Sequence, residues 1–283
     1  MYTYGFLEKI LFPSTYLDKE KLKSELKGKT ILITGASSGI GEQVAYMLAE
    51  VDAHLLLVAR REDRLITMKS DIEKNTARVS VFKVDLRNEA EVETLLAWIH
   101  QLPHGLDVVI SNAGKSIKRP IYQSLDRYHD MTRTMAVNYL APVQIVLSVI
   151  PLLTKNRGHI INISTINTKL VPFPYWAAYQ ASKSAFDTWF RSVAPELNAN
   201  GLATTSIYLP LVQTPMISPT VAYQNMPAMH AKHVAAIICK SLYTKRKSYQ
   251  PWWLPFGQVA SLLFSKLSER FLPRLIRKKG DKT

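Results

Sequence analysis

The short, apolar and β-branched run Thr30-Ile31-Leu32-Ile33-Thr34 breaks directly into Gly35-Ala36-Ser37-Ser38-Gly39-Ile40-Gly41 and then into a helical pattern reaching about Glu50. A strand that feeds a helix through a glycine-rich turn leaves few topologies open. Backbone amides of such a turn and the helix N-terminus converge on one point, where a phosphate charge is stabilised. The alternation then repeats. His54 to Val58 precedes a charged helix from Glu62, Val79 to Val84 precedes a helix from Asn88, and Leu106 to Ser111 precedes a long helix ending near Lys155. His159 to Ile163 and Thr204 to Leu209 supply further strands, with a helix around Tyr179 between them.

Strands that are apolar on both faces, alternating with amphipathic helices, predict a parallel sheet covered on both sides. The expected fold class is therefore α/β, a doubly wound parallel sheet of Rossmann type in a single domain. At 283 residues and 47% hydrophobic, the chain can bury one large core. Residues 1–26 read as an N-terminal extension, 27–250 as the catalytic domain, and 251–283 as a C-terminal segment. Within the domain, residues 211–229 carry Pro215, Pro219 and Pro227 among apolar residues, show no regular pattern and are placed to be a substrate flap.

A single cysteine, Cys239, excludes an internal disulfide and suits a reducing compartment, so a cytoplasmic location is expected. The first ten residues lack the basic and apolar regions of a secretory leader, and no uninterrupted apolar run reaches the roughly 18 to 20 residues that span a bilayer. The net charge of +14 calls for something negative nearby: a nucleotide, coenzyme A, anionic lipid or nucleic acid. Nucleic acid is not expected, because no zinc spacing and no basic strip interleaved with stacking aromatics is present. His230 and His233 lack a third ligand and read as helix-surface histidines, so no metal is expected. The terminal segment opens with Trp252 and Trp253. It continues as an amphipathic helix through Ala260, Leu263, Phe264, Leu267 and Phe271, and ends in Arg270, Arg274, Arg277, Lys278, Lys279 and Lys282. That pattern suits peripheral contact with a membrane. A helix packed on the subunit or on a dimer partner fits it equally well.

The turn needs small residues so that its amides can approach a pyrophosphate, a role open to Gly35, Ser37, Ser38, Gly39, Ile40 and Gly41. After the second strand, where an acidic residue would hold the ribose 2′-hydroxyl of NAD, the chain has Ala59 followed by Arg60 and Arg61. A guanidinium there can pair bidentately with the 2′-phosphate of NADP, which makes NADP the expected cofactor and Arg60 its reader. The competing reading is a solvated helix start. Asp85 and Leu86 after the third strand are placed to meet the adenine, and Asn112-Ala113-Gly114 after the fourth lets backbone approach the middle of the cofactor. Tyr179 and Lys183, four apart on one helical face, lie about 140 residues after the turn. An ammonium beside a phenol favours its ionised form, and such a phenol can exchange a proton with a substrate oxygen.

Taken together, TGASSGIG at 34–41, NAG at 112–114, Asn138 in the long helix and YxxxK at 179–183 resemble the short-chain dehydrogenase/reductase superfamily over about residues 28–215. The resemblance implies that Tyr179 is the acid/base, that Lys183 lowers its pKa and holds the nicotinamide ribose, and that Asn138 anchors a proton-relaying water. It also implies cofactor contacts at Val212 and Thr214, and a homo-oligomer. The stretches 112–119, 126–130 and 206–217 resemble more narrowly the bacterial fatty acyl-CoA reductases, which use NADPH to make long-chain aldehydes. That implies a small-molecule lipid or acyl-CoA substrate. The superfamily expects a serine about thirteen residues before the tyrosine, where this chain has Ile166. Aligning through the strand at 160–163 puts Thr165 there instead, with Ser164 just before it, and either hydroxyl could stabilise an oxyanion. Lys115, Lys118 and Arg119 could meet coenzyme A phosphates. The alternatives are an alcohol or ketone oxidoreductase acting on a lipid-like carbonyl, and a non-catalytic nucleotide-binding protein at the membrane.

Overall fold

The computed structural model describes residues 4–217, 223 and 226–280, with backbone only at 267, 268, 275 and 278–280. Pro219 and Lys282 fall outside these residues, and the side chains of Leu267, Lys278 and Lys279 fall outside the described ones. Two short helices, α1 (Phe6–Leu11) and α2 (Lys19–Leu26), precede the sheet. The alternation then runs β1 (Thr30–Thr34), α3 (Gly39–Met47), β2 (His54–Ala59), α4 (Glu62–Ile72), β3 (Arg78–Lys83), α5 (Glu89–His100) and β4 (Val108–Ser111). After α6 (Tyr128–Met135), a π-helical turn (Ala136–Leu140) and α7 (Ala141–Lys155) come β5 (His159–Thr165), α8 (Ala177–Ala199) and β6 (Ala203–Leu209). The chain ends with β7 (Val212–Gln213), β8 (Met229–His230), α9 (Ala231–Thr244), β9 (Ser248–Tyr249), α10 (Leu254–Leu263) and α11 (Ser265–Gly280).

Seven strands form one parallel sheet in the order β3-β2-β1-β4-β5-β6-β9. Alternate residues of each strand feed two separate cores, as a pleat of period two requires. Ile31, Ile33, Leu55 and Leu57 pack toward α3, α4 and α9, whereas Leu32, Leu56 and Val58 pack toward α5, α7 and α8. The chain winds from β1 outward through β2 to β3, then crosses to β4 on the other side of β1. This leaves a crevice at the C-terminal ends of β1 and β4, the topological switch point where doubly wound sheets bind ligands.

Two sequence expectations change, and one helix bears on a third. The helix Tyr128–Lys155 is long and apolar enough to cross a membrane by length and composition, although Asn138, Gln144 and Ser148 interrupt its apolar run. Ala141, Ile145, Val146, Val149 and Leu153 nevertheless bury it against the sheet as an ordinary core helix. His233 is not on the surface but fully buried, with Nδ1 2.9 Å from the Tyr4 hydroxyl and Nε2 3.1 Å from Thr15 Oγ1. Part of the 211–229 stretch is regular, because β7 and β8 pair in parallel.

Candidate active site

The two turns at the switch point are stapled together by polar atoms. Thr34 Oγ1 accepts from the backbone N–H groups of Asn112 (3.0 Å) and Ala113 (3.1 Å), and Asn112 Nδ2 donates to the Thr34 carbonyl at 2.9 Å. Gly35 adopts φ +66°, and a Cβ there would lie 2.9 Å from Ala113 Cα. At Gly41, in the first turn of α3, a Cβ would meet the Gly35 carbonyl at 2.5 Å. No side chain fits either position, so the glycines are what let the two backbone segments come together around the α3 N-terminus. This cradle fits a dinucleotide pyrophosphate.

One cleft of about 1830 Å³ runs from this cradle across the sheet ends. Gly35, Ser37, Ser38, Gly39, Ile40, Arg60, Asp85, Leu86, Asn112, Ala113 and Gly114 line one half; Thr165, Tyr179, Lys183, Val212 and Thr214 line the other. Gly41 lies behind the wall as a packing residue. Arg61 reaches across to Ser37, with Nη2 donating to its carbonyl at 2.9 Å and to its Oγ at 3.2 Å. Arg60 is exposed, and among the described residues no ion pair or hydrogen bond engages its guanidinium. Asp85 is held below the usual carboxylate range, first by its hydrogen bonds from Arg87.

The second half, which holds the candidate catalytic residues, is a contact between one face of α8 and the end of β5. Tyr179, Lys183 and Asp187 occupy successive turns of the helix. The Thr165 side chain lies beside the Tyr179 hydroxyl and acts to lower its pKa, Lys183 Nζ donates to the Ile163 carbonyl at 3.0 Å, and Ser164 Oγ donates to Asp187 Oδ1 at 3.2 Å. Strand alternation turns Thr165 toward the tyrosine and Ser164 toward the aspartate. Asp187, 1% exposed, is also paired with Arg191 at 2.9 Å. Asn138 sits in the π-helical turn, a feature frequent at functional sites. Its Oδ1 accepts from Lys115 N–H at 2.8 Å, while Nδ2 donates to the Lys115 carbonyl and Ser182 Oγ, both at 2.9 Å. A Cβ on Gly114 would stand 3.3 Å from Asn138 Oδ1 and 3.5 Å from Lys183 Nζ, so that glycine keeps the space between the two side chains open.

Burial sets the protonation states. It lowers the Lys183 ammonium to about 8, with the Asp187 carboxylate acting in the opposite direction. It raises the Tyr179 phenol above its ordinary value, against the Thr165 hydrogen bond. The expected ordering, in which Lys183 dominates the phenol, is therefore not the one seen in the protein alone. Desolvation is the larger influence, and the ammonium points at the Ile163 carbonyl.

The substrate end is apolar and aromatic. Trp176 stacks on Tyr223 at 5.8 Å and meets Tyr179 edge-on at 5.8 Å. Met216, Ile217 and Met226 complete the flap side, and Leu272 and Ile276 of α11 close the far wall. Lys115 and Lys118 are at the rim, but Arg119 is not free for a ligand: its Nε is 3.1 Å from Asp130, which also holds Arg127. Asp187, Trp176, Tyr223, Leu272 and Ile276 escaped the sequence reading. Asp187 carried a usable signal, one helical turn beyond Lys183. The tail residues carried none, because nothing local says which body an amphipathic helix covers.

The profile of the short chain dehydrogenase family matches residues 29–225. The chain belongs to this family of oxidoreductases. Similar members include a fatty acyl-CoA reductase of Acinetobacter baylyi, 38% identical over 244 residues (86% of this chain, 81% of that protein). A fatty acyl-CoA reductase of Mycobacterium tuberculosis is 38% identical over 212 residues (75% and 72%). A hydroxysteroid 11-beta-dehydrogenase 1-like protein of Xenopus tropicalis is 30% identical over 250 residues (85% of each). The fold superposes on a short-chain dehydrogenase of Sphingobium yanoikuyae solved with NADPH, with a TM-score of 0.70 at 21% identity, covering 78% of this chain and 86% of that one.

Proposed function

We propose that this short-chain dehydrogenase reduces a long-chain fatty acyl-CoA to the aldehyde with NADPH. The observation that carries the reading is the cleft itself. A dinucleotide cradle and the Tyr179 hydroxyl open into a largely apolar wall that includes Trp176, Tyr223, Met216 and Leu272, with Lys115 and Lys118 also on the lining. Arg60 and Arg61, in place of an acidic residue after β2, favour the 2′-phosphate of NADP. The names of the 38% identical relatives support the same substrate class.

NADPH, held by the cradle of Gly35, Ser37, Gly39 and Ile40 with Arg60 toward its 2′-phosphate, would supply a hydride to the thioester carbonyl carbon. Tyr179 and Thr165 receive the carbonyl oxygen between two hydroxyls, so charge developing there is stabilised at fixed donors. A phenol whose pKa is raised stays protonated at neutral pH, the form that can donate to this oxygen. Lys183 and Asn138, facing each other across Gly114, position the ribose end of the cofactor and the proton path. Collapse of the tetrahedral adduct re-forms the carbonyl and expels the coenzyme A thiolate, which takes up a proton. No enzyme thiol takes part: Cys239 is fully buried and its thiol is pushed up to about 12, a form that is not nucleophilic.

The test is stoichiometric. Acyl-CoA reduction to the aldehyde must release one free thiol per NADPH consumed. Tyr179→Phe should lower that turnover by about 10²–10⁴ while cofactor still binds. NADPH consumption with ketones or aldehydes and no thiol release from any acyl-CoA would instead assign a lipid carbonyl reductase, the reading the hydroxysteroid-type relative favours.

A further inference from the structure

The two ends of the chain meet on one side of the molecule. Trp252 Nε1 donates to the Ile10 carbonyl at 2.9 Å, and Trp253 Nε1 donates to the Leu11 carbonyl at 3.3 Å, so the entry to α10 is fastened to the last turn of α1. The tryptophans that looked free for a lipid interface are thus structural fasteners, although Trp252 remains 55% exposed. What they join is apolar and uncovered. Phe6 and Leu7 of α1 are exposed, as are Phe256, Leu262 and Leu263 of α10 and Phe264 after it. Trp252 and Phe256 meet edge-on at 6.4 Å and continue the surface from one helix to the other. Beside it α11 carries Lys266, Arg270, Arg274 and Arg277 against a single acid, Glu269.

We propose that α1 and α10 together form a docking surface for an anionic lipid bilayer, with the basic residues of α11 engaging the headgroups. Large apolar side chains exposed on two helices that are fastened together at Trp252 and Trp253 mark an interaction site. The charge decides the partner. A two-fold contact between copies would set the same basic rim against itself, whereas anionic headgroups neutralise it and attract each nearby Lys or Arg. Aromatic rings at the join suit the headgroup level of a bilayer. Because Leu272 and Ile276 of α11 line the cleft, the docked face borders the far wall of the substrate site. The docking itself does not depend on which substrate is reduced.

The experiment uses the full chain and vesicles of phosphatidylcholine with or without about a third phosphatidylglycerol, read by co-sedimentation at low and high salt, without substrate. The full chain is expected to pellet with the anionic vesicles at low salt and to be released by salt over the scale of a Debye length. Two exposed-face variants, Phe6→Ser with Leu7→Ser and Leu262→Ser with Leu263→Ser, should each lower partitioning by about tenfold or more, because each removes two large apolar side chains from the contact. Thermal melting confirms that both variants are folded. Binding of the α1 variant equal to that of the parent would overturn the joint surface and leave at most a C-terminal anchor. No vesicle binding by the full chain, or a dimer that both variants convert to a monomer, would overturn the bilayer and assign the face to a second copy.

Discussion

Asp187 stands one helical turn beyond Lys183, out of reach of any ligand, yet it is the one carboxylate that acts on the buried ammonium. Asp187→Asn keeps an acceptor for Ser164 and nearly the same volume, while the charge is lost. At an effective dielectric of about 20, a carboxylate one helical turn away favours an ammonium by on the order of 1–2 kcal/mol. Its removal should lower the Lys183 value further below about 8, by roughly one pH unit. The sign follows from which form works. If the ammonium holds the cofactor ribose, activity is present below the Lys183 pKa and is lost as pH rises through it. The alkaline limb of kcat/KM, which reports the free enzyme, should then move acidward. The variant should lose activity several-fold at pH 7.5 and almost nothing at pH 5.5, by the same titration arithmetic. Initial rates of NADPH oxidation between pH 5.5 and 9.5, with Asp187→Glu as the charge-retaining control, measure it. An unmoved limb, or a loss equal at every pH, would refute the electrostatic role and leave Asp187 as a packing residue.

Other substitutions separate roles that the geometry keeps apart. Thr165→Val should lower turnover more than Ser164→Ala, because Thr165 is the hydroxyl that acts on the Tyr179 phenol while Ser164 is held by Asp187; the reverse order would put Ser164 at the oxyanion. Arg60→Ala should weaken NADPH by about 10- to 100-fold and leave NADH nearly unchanged, since only NADPH carries the phosphate; equal weakening in fluorescence titrations would remove Arg60 from that contact. Gly41→Ala, whose Cβ would fall 2.5 Å from the Gly35 carbonyl, should cost roughly 1–3 kcal/mol, seen as a lower Tm together with weaker cofactor binding. Cys239→Ala should keep full acyl-CoA turnover, and a loss beyond that explained by its Tm would reopen an acyl-cysteine route.

Most of the fold is local and was therefore legible. The register of apolar runs identifies β1, β2, β4, β5 and β6 because each is buried on both faces, and the turns between them carry their own chemistry. The site is half local. Glycines crowded against backbone, and a tyrosine and lysine on one helical face, are written in short spacings. The choice between Ser164 and Thr165 is a question of which of two neighbouring hydroxyls lies beside Tyr179 and which is held by Asp187, two turns further along the same helix. That depended on how α8 packs on the end of β5.

The ends of the chain were opaque for a different reason: their partners lie more than 200 residues away. Tyr4 bonds His233, the Ala228 amide donates to Glu8 at 3.4 Å, and Trp252 bonds Ile10. No periodicity encodes such pairs, and a basic amphipathic tail reads the same whether it covers a cleft or a membrane. In this fold α11 does part of the first through Leu272 and Ile276, while its arginines and the uncovered face of α10 remain outside. A helix that walls the substrate cleft on one side and borders an apolar surface on the other couples the two. Any docking that shifts α11 also reshapes the far end of the cleft lined by Leu272 and Ile276, so, on the proposed function, anionic vesicles should change KM for long-chain substrates more than for short-chain ones. Equal changes for both would mean that the helix stays fixed when the surface binds.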